Sequence, residues 1–338
     1  MIQPKVWANA LRTIPRISKE EWNSYDIISR WLIATRSAVF ILTALSALVG
    51  GLLAYRDGNI NWFYFLVATL GLILAHASNN LINDLIDFNK GIDKDNYYRA
   101  QYGPQPLEHG LVSKRTFYMY IAVSLVLAMM AGIYLVLNTG PLTPILVVVG
   151  LFFLFFYTWP LKYIGMGEPT VLLVWGPLMI GGTYYVVSGS VWSWEAVLAG
   201  LVYAIGPTSV LFGKHTDKLK EDRVKGVYTL PVILGERISR YVNISIWGFQ
   251  YVLLGYLIIT GRMTIAMLIV FLAIPKYIWA VKIFSRPRPE KEPEDLGPGI
   301  WPLYLSAHAF AYNKRFGGLF LLGLILDIVL VKLNISLF

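Results

Sequence analysis

The stretch Asn83-Asp84-Leu85-Ile86-Asp87-Phe88-Asn89-Lys90-Gly91-Ile92-Asp93 follows directly on an apolar run from Trp62 to Ile82. That run is long enough to cross a bilayer, because a spanning helix needs about 20 mostly apolar residues. Carboxylates at a membrane boundary are costly unless they bind something. Clustered carboxylates suit Mg²⁺, which also binds the oxygens of substrate phosphates. The stretch therefore predicts a metal and phosphate site at the mouth of a membrane protein.

The composition is that of a membrane protein rather than a soluble domain. Of the 338 residues, 56% are hydrophobic and only 14% are charged, where a soluble domain would have about 25% charged residues. The chain has no cysteine, which excludes disulfide and thiol chemistry. The formal net charge of +9 is best explained by Lys and Arg in cytoplasmic loops, so we expect no nucleic acid as a partner.

Long apolar runs recur from end to end, which indicates an all-α polytopic protein of the lipid bilayer. About nine transmembrane helices are predicted, at Ser37–Tyr55, Trp62–Ile82, Phe117–Leu137, Leu142–Trp159, Thr170–Val187, Ala196–Phe212, Tyr241–Ile259, Met263–Phe284 and Phe316–Val331. Residues 1–36 have no apolar core of a signal peptide, and we expect them to form a cytoplasmic N-terminal tail. Residues 37–338 form the predicted transmembrane domain.

The distribution of basic residues predicts the orientation of these helices. With the N-terminus inside, the inside connections are residues 83–116, 160–169, 213–240 and 285–315. They hold most of the Lys and Arg, whereas the outside connections hold only Arg56 and Arg262 and the outer tail holds Lys332. Cytoplasmic loops are enriched in Lys and Arg. We therefore expect a multi-pass protein of the cell membrane, with a cytoplasmic N-terminus, an outside C-terminus and its function on the cytoplasmic face.

The first candidate site is the polar end of the second span. Its amides and carboxylates are spaced three or four residues apart, at Asn80, Asn83, Asp84 and Asp87. They share one face if the helix continues. Gly91 is predicted to end the helix, so that Asp93 returns from the loop toward that face. The alternative is a solvated helix end with ordinary caps, but five such groups at one edge of a span favour a Mg²⁺ site.

The second candidate site follows the sixth span, in Lys214-His215-Thr216-Asp217-Lys218-Leu219-Lys220-Glu221-Asp222-Arg223. Asp217 and Glu221 lie one helical turn apart, and Asp222 follows at once. Acids interleaved with Lys and Arg suit a site that binds both metal and phosphate. Taken alone, the segment is better explained as a solvated charged loop. Because the first candidate site lies on the same predicted cytoplasmic face, a second metal and phosphate site is the better explanation of this segment.

Two acidic clusters facing each other predict a reaction of an allylic diphosphate. Bound Mg²⁺ neutralises charge on the departing diphosphate, which lets the carbon–oxygen bond ionise to an allylic cation. Spans rich in aromatic and aliphatic side chains can hold an isoprenoid tail and keep water from that cation. Aromatic faces also stabilise cations, although most of these residues simply face lipid or pack between helices.

These motifs resemble those of the UbiA superfamily of intramembrane prenyltransferases, over nearly all of the chain. The opening Asn83-Asp84-Leu85-Ile86-Asp87 is similar to its first signature. The end of its second signature is matched by Asp222-Arg223, Gly226, Thr229-Leu230-Pro231 and Leu234-Gly235. The six-residue step from Asp87 to Asp93, with residues 157–168 and 176–185, resembles the branch that prenylates 1,4-dihydroxy-2-naphthoate in menaquinone biosynthesis.

The resemblance implies a helix bundle around a central cavity that opens to the cytoplasmic side. It also implies a prenyltransferase that uses two Mg²⁺ ions. Such an enzyme moves a polyprenyl group from polyprenyl diphosphate to an aromatic acceptor, here most similar to 1,4-dihydroxy-2-naphthoate. In this family, prenylation of that acceptor accompanies loss of its carboxyl group.

The resemblance also assigns roles to individual residues. The implied metal ligands, which are also catalytic, are Asp84, Asp87, Asp93, Asp217 and Asp222. Tyr157 would stabilise the cation or contact diphosphate, and Glu168 would act as a base toward the acceptor. Substrate binding is implied for Asn80, Asn83, Arg99, Lys162, Lys214, Lys218, Glu221 and Arg223. The simpler readings are cytoplasmic charge for Arg99, an interfacial aromatic for Tyr157 and a helix N-terminal acid for Glu168.

One signature departs from the family pattern. It usually has two Asp four residues apart, but here Lys218 occupies the earlier position, Asp217 is shifted by one and Asp222 takes the later position. The acceptor therefore stays open between the naphthoate, 4-hydroxybenzoate, homogentisate, a tetrapyrrole and a glyceryl phosphate ether. A transporter or channel would place acids in mid-span, whereas these acids lie at one face. Nothing in the sequence indicates the oligomeric state or the tail length.

Overall fold

A computed structural model describes residues 2–94, 98, 103–294 and 296–335. Regular structure in these ranges is helical, with one isolated bridge between Ile164 and Tyr228. The helices are α1 (Pro4–Arg12), α2 (Lys19–Ser24), α3 (Ile27–Ala34), α4 (Phe40–Arg56), α5 (Trp62–Asn89), α6 (Lys114–Asn138), α7 (Leu142–Phe156), α8 (Gly167–Val187), α9 (Trp194–Asp217), α10 (Leu219–Val224), α11 (Leu230–Leu234), α12 (Glu236–Ile259), α13 (Ile265–Phe284) and α14 (Tyr304–Lys332).

Seven helices in the described part are long and apolar enough to cross a membrane. They are α4 with its preceding 3₁₀ turn, α5, α6, α8, α9, α12 and α13. Two further predicted spans coincide with α7, an apolar helix of 15 residues, and α14, a helix of 29 residues. The all-helical, multi-pass architecture is confirmed, while the number of nine spans stays a prediction.

Helix α5 runs past the predicted end of its span. It begins at the cap of Asn61, whose side chain accepts hydrogen bonds from the backbone N–H groups of Phe63 and Tyr64. It continues through Ile82 to Asn89. The amides and carboxylates of the first motif therefore lie on one continuous helix.

Helix α8 is irregular where it lines the interior. It passes through a π-helical stretch, Val174–Gly181, that contains Pro177. Proline has no N–H to donate within a helix, and π-turns are a common way to absorb such an interruption. The stretch brings Trp175 to the wall of the central cavity.

Helix α9 is the buried centre of the bundle, packed against α8, α12 and α14. Glycines permit the close approach. A Cβ added at Gly200 would lie 3.0 Å from Cβ of Ile180 on α8, and one added at Gly213 would lie 3.0 Å from the backbone N of Ser306 on α14. Since α14 can approach this closely, its first turn reaches the carboxyl end of α9, where the second motif begins.

The N-terminal segment is folded onto the bundle. Ser18 and Glu21 form a reciprocal capping box at α2, and Asp26 caps α3. Trp22 is only 1% exposed, and Trp31 donates a hydrogen bond through Nε1 to Ser124 on α6 at 2.9 Å. Residues 4–34 are therefore packed structure, and the domain boundary at residue 36 stays a prediction.

Candidate active site

A cavity of about 520 Å³ lies inside the bundle. On α5 its wall extends from Ala68 to Asp87, a rise of about 29 Å at 1.5 Å per residue. Most of the wall is aliphatic or aromatic and includes Leu146, Phe153 and Trp175. The acidic and basic residues of the lining include those at the ends of α5 and α9 and in the segments next to them. The cavity thus combines a long apolar chamber with one charged end.

The charged end collects residues from both predicted motifs. The polar residues of the lining include Arg36, Asn79, Asn80, Asn83, Asp87, Asp93, Tyr157, Lys162, Lys214, His215, Lys218 and Asp222. The predicted residues Asp84, Asp217, Glu168, Glu221 and Arg223 do not line it. Arg99 lies outside the described residues.

Asp87 is the best-defined carboxylate of this end. It is 8% exposed, and both of its oxygens accept hydrogen bonds from Nζ of Lys162, at 2.9 and 2.8 Å. The hydroxyl of Tyr163 donates a third, at 3.3 Å. A charge this buried needs such partners. Lys162, which the sequence predicts to contact substrate, is therefore hydrogen-bonded directly to Asp87, the predicted metal ligand.

Asp84 lies one turn earlier on α5 and faces Arg36. Their ion pair has an Nη2–Oδ1 distance of 3.1 Å, and Arg36 also donates to the backbone oxygen of Asn80 at 3.2 Å. The Asn80 side chain in turn donates to the backbone oxygen of Thr35 at 2.8 Å. Asp84 and Asn80 thus position Arg36 and the start of α4, whereas Asn83 lines the cavity.

Asp93 returns to the cavity from the loop after α5. Gly91 takes the left-handed conformation, with φ of +69°, that allows the chain to turn there. Lys225 holds the loop by donating to the backbone oxygens of Ile92 and Lys94, at 2.6 and 2.7 Å. Asp93 is 5% exposed. The structure thereby brings it to the same end as Asp87.

The second motif contributes Asp222 and two lysines. Asp222 lies on the short helix α10 and pairs with Lys218, one turn earlier, at an Nζ–Oδ1 distance of 3.1 Å. Lys218 lines the same cavity as Asp87. Lys214, on the last turn of α9, completes the group of cations.

Tyr163 lies at the junction of the two motifs and was missed by sequence reasoning. Burial raises the pKa of its hydroxyl, and the neighbouring carboxylates of Asp87, Asp93 and Asp222 raise it further. Its hydroxyl donates to Asp87, which places Tyr163 directly beside the charged end. In the sequence, only its position one residue after Lys162 pointed to it.

The structure does not bring Asp217 to this cluster. Its carboxylate accepts N–H bonds from Leu305 and Ser306, at 3.0 and 2.9 Å, and pairs with Arg288 at 3.0 Å. These contacts hold the first turn of α14 and the linker before it against the end of α9. Asp217 therefore acts here as a structural anchor, in contrast to its predicted role as a metal ligand.

Two other predicted residues of the second motif also lie off the cavity. Arg223 is exposed and donates to the backbone oxygen of Val232 at 3.1 Å. Glu221 is half-buried and does not line the cavity. The helical spacing explains this outcome. Asp222 on α10 and Lys218 directly before that helix lie one turn apart and both line the cavity, whereas Glu221 and Arg223, as direct neighbours of Asp222, point elsewhere.

Glu168 is buried behind the cavity wall and reaches it through a histidine. Its Oε1 lies 2.6 Å from Nδ1 of His215, and Oε2 has no hydrogen-bond partner in the described structure. His215 lines the cavity, while Glu168 does not. With Nδ1 donating to the carboxylate, Nε2 of the neutral ring is an acceptor. Sequence spacing offered no signal for this pair, which is 47 residues apart.

Arg36 is a second residue that sequence reasoning did not single out. It lines the cavity and has a left-handed backbone, with φ of +57°, which is uncommon outside glycine. Its side chain is held by Asp84. An arginine directly before the first span was the available signal, but it is equally typical of a cytoplasmic boundary.

As the side chains stand, the described residues bring together no group of three His, Asp or Glu able to hold a metal ion. The carboxylates instead face ammonium or guanidinium groups. The oxygen donors at the cavity nevertheless have the chemistry that Mg²⁺ requires. Asn83 and Asp87 supply them from the last turns of α5, and Asp93 supplies them from the loop that follows.

Residues 43–297 match the UbiA prenyltransferase family. The chain belongs to this family. It is an all-helical, multi-pass membrane prenyltransferase, as the resemblance of its motifs predicted.

Curated relatives cover most of the chain. The UbiA prenyltransferase domain-containing protein 1 of Danio rerio is 27% identical over 273 residues, covering 77% of this chain and 78% of that protein. The 1,4-dihydroxy-2-naphthoate octaprenyltransferase of Bacillus subtilis (strain 168) is 22% identical over 253 residues, covering 74% and 80%. These similarities support the reaction class.

A solved structure shows the same fold. A UbiA homologue from Archaeoglobus fulgidus, bound to GPP and Mg²⁺, superposes with a TM-score of 0.55 at 16% identity. The alignment covers 85% of this chain and 99% of that one. At this identity the likeness establishes the helical fold.

Proposed function

We propose that this enzyme transfers a polyprenyl group from polyprenyl diphosphate to an aromatic acceptor of the 1,4-dihydroxy-2-naphthoate type. The observation that carries the proposal is the cavity itself, a long apolar chamber ending in buried lysines and aspartates. Such a chamber matches a substrate with an apolar tail and a highly charged head. The charged end lies where α5 and α9 terminate.

The cations of the charged end bind the diphosphate in this proposal. Lys162, Lys214 and Lys218 line the cavity together with Arg36. Charge-assisted hydrogen bonds to phosphate oxygens are stronger than neutral ones. Nζ of Lys162 lies 2.8 Å from Oδ2 of Asp87, and Nζ of Lys218 lies 3.1 Å from Oδ1 of Asp222. Entry of a diphosphate therefore lets each ammonium turn from a carboxylate to a phosphate oxygen.

Asp87 and Asp93, with the amide oxygen of Asn83, would hold Mg²⁺ on the α5 side of the cavity. The fit rests on the chemistry of these donors, which are all oxygens, and the related archaeal structure was solved with GPP and Mg²⁺. Bound there, Mg²⁺ would supply neutralisation of the charge that develops on the leaving diphosphate. Asp84 is assigned to positioning Arg36 instead.

The remaining groups act on the prenyl cation and the acceptor. The carbon–oxygen bond to diphosphate breaks, and the ring of Tyr157 at the cavity wall faces the resulting allylic cation. His215, held by Glu168, takes the proton of an acceptor hydroxyl through Nε2 as the ring attacks. The ring carbon that gains the prenyl group loses its carboxyl group as CO₂, and the hydroxyl then regains its proton.

Two features favour the naphthoate over the other acceptors. The six-residue step from Asp87 to Asp93 ends at a carboxylate that the structure returns to the cavity. A curated relative that covers 74% of the chain is a 1,4-dihydroxy-2-naphthoate octaprenyltransferase. The other proposed acceptors are 4-hydroxybenzoate, homogentisate, a tetrapyrrole and a glyceryl phosphate ether.

An acceptor panel tests this proposal. Purified protein is incubated with geranylgeranyl diphosphate and Mg²⁺, with each acceptor in turn, and the products are identified by mass. We expect a prenylated naphthoquinol without the carboxyl group. Transfer to another acceptor alone would reassign the substrate, and the absence of a product with every acceptor would contradict the proposal.

A further inference from the structure

The segment from Lys214 to Arg223 gives the cavity more ammonium groups than carboxylates. Lys214 and Lys218 line it, whereas Asp222 is the one acidic side chain of this segment in the described lining. The α5 side differs, because Asp87 and Asp93 are both in the lining. The two sides of the charged end are therefore unequal in their capacity to hold a metal ion.

Asp217 is held too firmly to turn toward the cavity and add a second carboxylate to this side. Its side chain is fully buried, and its oxygens already accept from Leu305, Ser306 and Arg288 at 2.9–3.0 Å. Turning it toward the cavity would leave the guanidinium and two backbone N–H groups of a packed helix end without their acceptor. Buried groups stripped of a partner in this way are strongly destabilising.

Lys218 lines the cavity together with Asp222 and with Asp87 of the α5 side. It is 8% exposed, and its Nζ is 3.1 Å from Oδ1 of Asp222. A divalent cation placed beside Asp222 would meet this ammonium at close range, and like charges repel. A single carboxylate that already has a cationic partner is a poor ligand set for a second Mg²⁺.

We infer that the site binds one divalent cation, on the α5 side, and that the ammonium of Lys218 takes the position of a second ion and binds the diphosphate directly. This inference rests on the proposed function and replaces the two ions expected from sequence. Since Lys218 is part of the chain, a portion of the affinity for prenyl diphosphate persists without any metal.

Counting the bound metal tests the inference without catalysis. The full-length protein is titrated with Mn²⁺ in the presence of geranylgeranyl thiolodiphosphate and no acceptor, and bound Mn²⁺ is measured by electron paramagnetic resonance. We expect one Mn²⁺ per chain. Two Mn²⁺ per chain, with the spin coupling of neighbouring ions, would overturn the inference and leave the proposed function standing. No binding of the analogue at all would instead overturn the proposed function.

Binding of the same analogue in EDTA tests the role of Lys218. We expect Lys218→Ala to weaken metal-free binding at least tenfold, which corresponds to about 1.4 kcal/mol. Lys218→Arg should restore most of the affinity. The control is Lys220→Ala, an exposed lysine two residues later. Equal affinity of Lys218→Ala and Lys220→Ala would overturn the inference, and should Lys218→Ala fail to fold, the Mn²⁺ count of the unaltered protein still decides.

Discussion

Three buried carboxylates in or beside the charged end lie within about 3 Å of a cation, a distance at which desolvation is offset by hydrogen bonding as well as by charge. The pairs are Asp84 with Arg36, Asp87 with Lys162, and Asp222 with Lys218. At the residue scale this makes the site a set of exchangeable ion pairs. A diphosphate and a metal cation can enter together, because the diphosphate attracts the ammonium groups and the metal cation attracts the carboxylates.

His215 is the residue through which Glu168 reaches the acceptor. We expect His215→Gln to lower the rate of prenyl transfer by about 10²–10⁴-fold, the usual contribution of a general base. Binding of prenyl diphosphate should be unchanged. The control is His308→Gln, because His308 stacks on Trp279 and Tyr304 outside the cavity lining. An unaltered rate of prenyl transfer in His215→Gln would refute the role of His215 as a general base.

Substitution of Asp217 is expected to change the stability of the protein rather than its activity. Asp217→Asn leaves the guanidinium of Arg288, which is 14% exposed, without its counter-charge, so we expect a loss of about 3 kcal/mol in the free energy of unfolding. The KM for prenyl diphosphate should stay unchanged in the protein that remains folded. Thermal unfolding and initial rates, compared with the exposed variant Glu292→Gln, measure both effects. A metal ligand would show the reverse pattern, with intact stability and a raised requirement for Mg²⁺.

Sequence reasoning at this scale succeeded where spacing along one helix decides the outcome. Asn80, Asn83, Asp84 and Asp87 were expected on one face of the helix from such spacing, and all but Asp84 line the cavity. Asp93 was expected to return from the loop after Gly91, and it also lines the cavity. Asp217 and the Glu168–His215 pair depend on contacts between residues 47 or more positions apart. No local pattern contains that information, since it arises from how α9 packs against α8 and α14.

At the scale of elements, α5 joins the two halves of the site. It carries the apolar wall from Ala68 and the charged end at Asp87, about 29 Å apart along one helix at 1.5 Å per residue. The sequence predicted the apolar part as a span ending at Ile82, because window averages fall where polar residues begin. The helix continues to Asn89 since its amides and carboxylates find partners inside the protein.

Helix α7 offers a test of where the prenyl tail lies. Gly150 lines the cavity, and a Cβ added there would meet no atom within 4 Å. We expect Gly150→Leu to fold but to fill part of the chamber, raising the KM for a long polyprenyl diphosphate about tenfold relative to a short one. The control is Gly255→Leu on α12, which is equally open but outside the lining. An unchanged ratio of KM values would place the tail elsewhere.

At the scale of the whole molecule, the polar and apolar zones of the cavity follow the predicted sidedness of the chain. Window hydropathy located all the long apolar helices, but it could not foresee that residues 4–34 fold into three helices against α6. Their apolar residues are too few and too scattered to register as a span. Their packing depends on Trp22 and Trp31 finding partners in the bundle.

The orientation of the chain can be measured directly because it contains no cysteine. Single variants Lys220→Cys and Asn59→Cys place one thiol at each predicted face, at exposed positions. With a membrane-impermeant maleimide on intact cells, we expect labelling of Asn59→Cys and protection of Lys220→Cys. Lysed cells, in which both should be labelled, provide the control. The reverse pattern would invert the predicted topology.

The most direct test of the charged end as the prenyl diphosphate site is diphosphate release by Asp87→Asn. The variant keeps the size of the side chain but removes the charge that pairs with Lys162 and would hold Mg²⁺. With geranylgeranyl diphosphate, Mg²⁺ and 1,4-dihydroxy-2-naphthoate, we expect release at least about 10²-fold slower than in the unaltered protein, as on loss of one strong electrostatic contact to a transition state. The exposed variant Glu294→Gln should retain full activity. Release by a folded Asp87→Asn at the unaltered rate, with the same dependence on Mg²⁺, would contradict this account.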